Sequence, residues 1–98
     1  MNSGVVRAIK ERRVVTFLYE GFVRTVEPHV YGVHKDSGNE LLSGYQIAGL
    51  SHSSQRPGWR LFRLTEVRAF TVTEKVFNHP RPGYNGRDAR MGAIFARV

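Results

Sequence analysis

Ninety-eight residues allow one domain, and a chain of this size buries only about 60–65% of its unfolded surface, so there is room for a single compact core. Fifteen Lys and Arg against eight Asp and Glu give a net charge of +7, and twelve of the fifteen are Arg, whose planar fork suits phosphate and stacks on bases. The absence of cysteine excludes disulfides and thiolate metal sites and fits a reducing cytoplasm, and no apolar run approaches the roughly 20 residues of a membrane span, so no membrane partner is expected.

Residues 3–13 read as a short helix capped by Ser3, with Val5, Val6 and Ile9 as its apolar stripe, lying on the barrel as a lid. Residues 14–19 alternate as a first strand, and Glu20-Gly21 supplies a turn. Residues 22–34 form a long extended stretch in which Pro28 removes a ladder donor, so an edge, a bulge or a sharp bend is expected there. Lys35-Asp-Ser-Gly-Asn39 is the clearest turn in the chain, closing a hairpin to a third strand over 40–50. A polar loop over 51–58 leads to a fourth strand, 59–64, which carries an arginine on each face.

Residues 67–76, rich in β-branched side chains, make a fifth strand, and 77–83 read as a linker because its two prolines forbid regular pairing. Beyond it Met91, Ile94, Phe95 and Val98 fall at i, i+3, i+4 and i+7, with Asn85 and Asp88 placed as caps, which predicts a short C-terminal helix. The expected architecture is mainly β: a small five-stranded barrel with an N-terminal helix over 1–78, followed by a linker and helical tail over 79–98 packed on the barrel or on a partner.

Four groups of residues carry a resemblance. Ala8-Ile9-x-x-Arg12-Arg13, then Phe17-x-Tyr19-x-Gly21-x-x-Arg24-x-Val26-Glu27-Pro28, then Leu42-x-Gly44-Tyr45, then Arg60-x-Phe62-Arg63-Leu64 resemble the WYL domain family of bacteria, over roughly residues 5–76. The resemblance implies an Sm-like β-barrel and a role in transcription regulation through sensing of nucleic-acid or nucleotide ligands. Where the family carries its namesake Trp-Tyr-Leu this chain has Glu40-Leu41-Leu42, and where many members have Asp-Arg it has Thr65-Glu66. Family regulators carry a helix-turn-helix ahead of this domain, and none is read in these residues, so a complete regulator of that kind is not expected.

The candidate site gathers Arg24, His29, Tyr45, Gln46, Arg60 and Arg63. The arginines would capture phosphates from a shared concave patch, Tyr45 would offer a stacking face, and His29 and Gln46 would offer hydrogen bonds to a nucleotide or single-stranded nucleic acid. Neutralising about three phosphates would give a slope of roughly −2 in log affinity against log salt. The competing readings are structural: Arg60 or Arg63 ion-paired to Glu27 or Glu66, Tyr45 half-buried, His29 packing the bend, Trp59 filling core or rim. Metal binding and cofactors are not expected, since His29, His34, His52 and His79 lack ligand spacing. Nor is enzymatic activity, since adjacent Ser51-His52-Ser53-Ser54 provide no oriented acid or oxyanion site. The alternative function is a protein-interaction or dimerisation barrel, binding a second copy or a regulator protein through strand edges and the tail stripe, and a third is a purely structural member with its pocket lost.

Overall fold

The computed structural model describes residues 2–49 and 56–98; Leu50, expected to end the third strand, and 51–55, with the Ser-His-Ser-Ser group, lie outside the described residues. Helix α1 spans Ser3–Lys10 and is capped one residue earlier than expected, by the Asn2 side chain accepting from the Val5 amide. It stops short of Arg13 because Arg12 takes a left-handed φ of 52°, which no helix continues through. Its buried face is Val5, Ala8 and Ile9.

The strands are β1 (Arg13–Tyr19), β2 (Phe22–His34), β3 (Glu40–Gly49), β4 (Gly58–Arg63), β5 (Arg68–Val76) and β6 (Met91–Arg97), all in one antiparallel sheet of order β4-β3-β2-β1-β5. Glu20 and Gly21, both at positive φ, join β1 to β2 in the two-residue turn whose twist suits a hairpin. Pro28 is accommodated as its chemistry demands, because the β2–β3 register shifts between Pro28 and Val30 and leaves His29 as the extra residue of a bulge. Gly44 opposite Pro28 is fixed by packing: a Cβ there would lie 2.5 Å from Val26 Cγ1 and 3.0 Å from the Glu27 carbonyl.

The tail is a strand, not a helix. Pairing with β1 ends at Val26, so the second half of β2 has one edge open, and β6 fills it from Val30 to His34. Between the pairs Tyr31↔Ala96 and Gly32↔Ile94 the residue Phe95 is extra, so the spacing that reads as helical belongs to a bulged strand. Ala96 enters the core and Val98 packs against it.

Nor is the sheet a closed five-stranded barrel. It is open, with β4 and β5 at the two ends of the path and the 3₁₀ turn Leu64–Glu66 between them in sequence. It curls strongly all the same: Phe62 of β4 stands edge-on to Phe17 and Tyr19 of β1 at 4.9 and 5.0 Å between centroids, and the Tyr19 hydroxyl accepts from the Arg63 amide at 3.1 Å. Val15, Phe17, Val26, Tyr31, Leu42 and Phe62 line the inside of this curl, closed by α1. The segment 77–90 crosses the other face as a strap.

Candidate anion-binding site

Strand alternation decides which of the candidate residues can meet. On the inner face, opposite one end of the core, stand Arg24, Gln46 and Arg60. Arg24 is only 2% exposed; its Nη1 donates to Gln46 Oε1 at 3.2 Å and its Nη2 to the Tyr19 carbonyl at 3.0 Å, and Glu20 lies 3.5 Å away. Its guanidinium sits over the rings of Tyr19, Phe22 and Phe62. Burial pulls the Arg24 pKa down from its usual value, the Glu20 carboxylate pushes back, and the nearby Arg60 charge lowers it further. Gln46 is used at both ends, its amide nitrogen donating to the Gly49 carbonyl. Arg60 is half-buried and folds back on the carbonyls of Trp59 and Arg56. The Nε groups of Arg24 and Arg60 are buried without a partner among the described residues.

His29 and Tyr45 lie on the outer face, beneath the strap. His29 is fully buried: it accepts the Arg81 amide at Nε2 (3.2 Å), so Nδ1 carries the proton and donates to the Glu27 carbonyl (2.7 Å). Phe77 stacks on its ring at 5.1 Å and Trp59 meets it edge-on at 4.7 Å. Burial lowers the His29 pKa. Tyr45 is T-shaped to Trp59 and covered by the Arg81 guanidinium, 4.7 Å from its ring centre. Arg81 in turn grips Glu27 through Nε and Nη2 at 2.7 and 3.1 Å, so this cation, and neither Arg60 nor Arg63, takes that carboxylate. The Trp59 indole donates to the Pro82 carbonyl. These contacts pin the strap to the sheet.

Arg63, three residues beyond Arg60, therefore faces the other way, and the three arginines do not share one patch. Its exposed guanidinium has no partner among the described residues. It borders a hollow of about 350 Å³ where β4 meets the end of β1 and the β2–β3 turn. Tyr19, His34, Ser37 and Asn39 supply the other polar walls, Leu41 and Leu61 the apolar ones, and no carboxylate lines it.

Each polar group there still has a donor to give. Tyr19 oxygen accepts the Arg63 amide, which leaves its O–H, and burial raises its pKa, so the proton stays on. His34 Nδ1 accepts the amides of Asp36 and Ser37, which puts its proton on Nε2. Ser37 Oγ accepts the Asn39 amide and keeps its hydroxyl hydrogen, and the Asn39 carboxamide has no partner among the described residues. The arrangement is thus rich in donors and poor in acceptors, which suits an anion.

No family model, curated protein or solved structure matches the chain.

Two other hollows are less suited to an anion. The one between the strap and β2–β3, about 750 Å³, contains Lys75, His79 and Arg81 but also Glu27, and the one beside Trp59 contains Asp88. Among the described residues no three His, Asp or Glu side chains come together as metal ligands, and no helix is long and apolar enough to cross a membrane. Of the residues that line this hollow, the sequence reading names Arg63 as a candidate but not Tyr19, His34, Ser37 or Asn39. The turn Lys35–Asn39 carries a clear backbone signal, and His34, one residue before it, is the sequence feature that points to a polar wall there.

Proposed function

We propose that this chain is a binding module that holds an anionic nucleotide or single-stranded nucleic acid, with Arg63 as the principal cation. The observation that carries the reading is the Arg63 hollow, in which five donor groups face one space with no carboxylate among them. Net charge of +7 draws such a ligand in, and Leu41 and Leu61 give its less polar part a surface. The WYL resemblance supplies the biological class, a ligand-sensing regulatory module in a bacterial cytoplasm. On that reading the curled sheet is a variant of the Sm-like barrel whose last seam stays unpaired. Arg24, Gln46 and Arg60 then brace the barrel end, and His29 and Tyr45 brace the strap.

The test is a titration of labelled short DNA and RNA oligomers against wild type, Arg63→Ala and Arg60→Ala, repeated over a range of salt. Arg63→Ala is expected to weaken binding by about tenfold or more, roughly 1.4 kcal/mol, and to reduce the salt slope by about 0.7. An Arg63→Ala protein that binds like wild type would overturn the assignment of Arg63.

A second reading, an interaction or dimerisation module, draws on the cross-strand pair Leu18 and Val23, which are 38% and 64% exposed, and on the edges of β4 and β5 that have no strand partner among the described residues. Sedimentation at micromolar concentration decides it: a dimer lost on Val23→Lys supports it, and a monomer throughout removes the homodimer.

A further inference from the structure

We infer that the Arg63 hollow takes a terminal phosphate, the phosphomonoester of a nucleotide or of a nucleic-acid strand end, in preference to the internal phosphodiesters of a strand. The inference rests on the reading of Arg63 as the ligand's cation and adds which phosphate it selects.

The donor inventory makes the case. Arg63, Tyr19, His34, Ser37 and Asn39 line one space, and each keeps a donor that its own hydrogen bonds do not use: the Arg63 fork, the Tyr19 hydroxyl, the His34 Nε2–H, the Ser37 hydroxyl and the Asn39 amide. An internal diester carries one negative charge and two non-bridging oxygens, so it leaves several of these donors unanswered. A monoester carries about −1.5 to −2 at neutral pH and three strongly accepting oxygens, each able to take more than one hydrogen bond. No carboxylate lines the hollow; Glu66 and Glu20 act on Tyr19 from outside its wall, and the Arg63 cation opposes them there.

Shape argues the same way. Four chain segments wall the hollow: β4 carries Leu61 and Arg63, the end of β1 carries Tyr19, the end of β2 and the turn after it carry His34, Ser37 and Asn39, and β3 carries Leu41. A space of about 350 Å³ holds a phosphoryl group and part of a sugar, whereas an internal phosphate must let the strand continue on both sides. Tyr19 is only 8% exposed, and its hydroxyl is held in place by packing of the ring against Phe17 and Phe62 and by the Arg63 amide. The His34 ring is likewise fixed by two amides of its own turn. Donors held this way lose little freedom when the anion arrives.

The experiment compares hexathymidylate bearing a 5′-phosphate, a 3′-phosphate or hydroxyls at both ends, with thymidine monophosphate and thymidine as small probes, on wild type, Arg63→Ala and Asn39→Ala. Both substituted side chains are exposed and make no hydrogen bond or ion pair among the described residues, and thermal melts check that each variant is folded. At least one phosphorylated end is expected to bind tenfold or more tighter than the hydroxyl form, with the preference falling to near onefold in Arg63→Ala and about threefold in Asn39→Ala. Thymidine monophosphate binding as tightly as the phosphorylated hexamer would assign a free nucleotide, and a tighter hexamer would assign a strand end; both support the inference. Equal binding of phosphorylated and hydroxyl hexamers, both weakened by Arg63→Ala, overturns the terminal-phosphate preference and leaves the anion-binding reading intact. Binding of every probe unchanged in Arg63→Ala overturns both.

Discussion

Arg24 holds its charge where water barely reaches, fixed by Gln46 and the Tyr19 carbonyl, whereas Arg63 stands in water with its donors unspent. The two should therefore fail in opposite ways. Arg24→Ala empties space beside Tyr19 and Phe62 and should cost about 2–4 kcal/mol in urea denaturation, while Arg63→Ala should stay within about 0.5 kcal/mol of wild type and lose ligand instead. Equal stability of both proteins would contradict the division. His29 gives a pH signature. Its folded pKa lies below the unfolded value of about 6.5, so its contribution is complete above that pH. As pH falls through about 6.5 the unfolded chain binds the proton first, and stability declines until the folded pKa is reached. Urea midpoints for wild type should drop between pH 7 and 5.5 and stay nearly level for His29→Gln; parallel curves would remove His29 as the cause. That His29 is a pin and not a contact was not legible from sequence, because the bulge at Pro28 sets its direction and the strap that covers it comes 50 residues later.

At the level of elements, local chemistry spoke clearly where it acted alone. Glu20-Gly21 forces a hairpin, Pro28 forces a bulge, and α1 follows from its stripe of Val5 and Ile9. It misled where a distant partner decides. The stripe Met91, Ile94, Phe95, Val98 satisfies a helical period, yet the open edge of β2 offers the same residues a ladder, and Gly86 and Gly92 weaken the helical competitor. Gly32 is the hinge of that choice: a Cβ there would lie 2.3 Å from the Ala93 carbonyl and 3.2 Å from Ile94 Cα. Gly32→Val should detach β6, with amides of 91–97 losing protection from hydrogen exchange and a stability cost of at least about 2 kcal/mol. Retained protection would show that β6 is held by something other than close approach to β2.

For the molecule as a whole, the mainly β class followed from five runs of alternating or β-branched residues separated by turns, and the basic balance pointed to an anion. What composition could not supply was sidedness. Three arginines on neighbouring strands read as one patch, but Arg60 and Arg63 lie three positions apart on one strand and so face opposite ways, and the bulges in β2 shift its faces relative to β3. The curl then brings the end of β1 to the end of β4 and assembles the Arg63 hollow from segments that are distant in sequence. Assigned amide spectra recorded while thymidine monophosphate is added test the location of binding most directly. Shifts should concentrate at Tyr19, His34, Ser37, Asn39 and Arg63 and vanish in Arg63→Ala; shifts centred on Lys75, His79 and Arg81 in the strap groove would contradict the assignment.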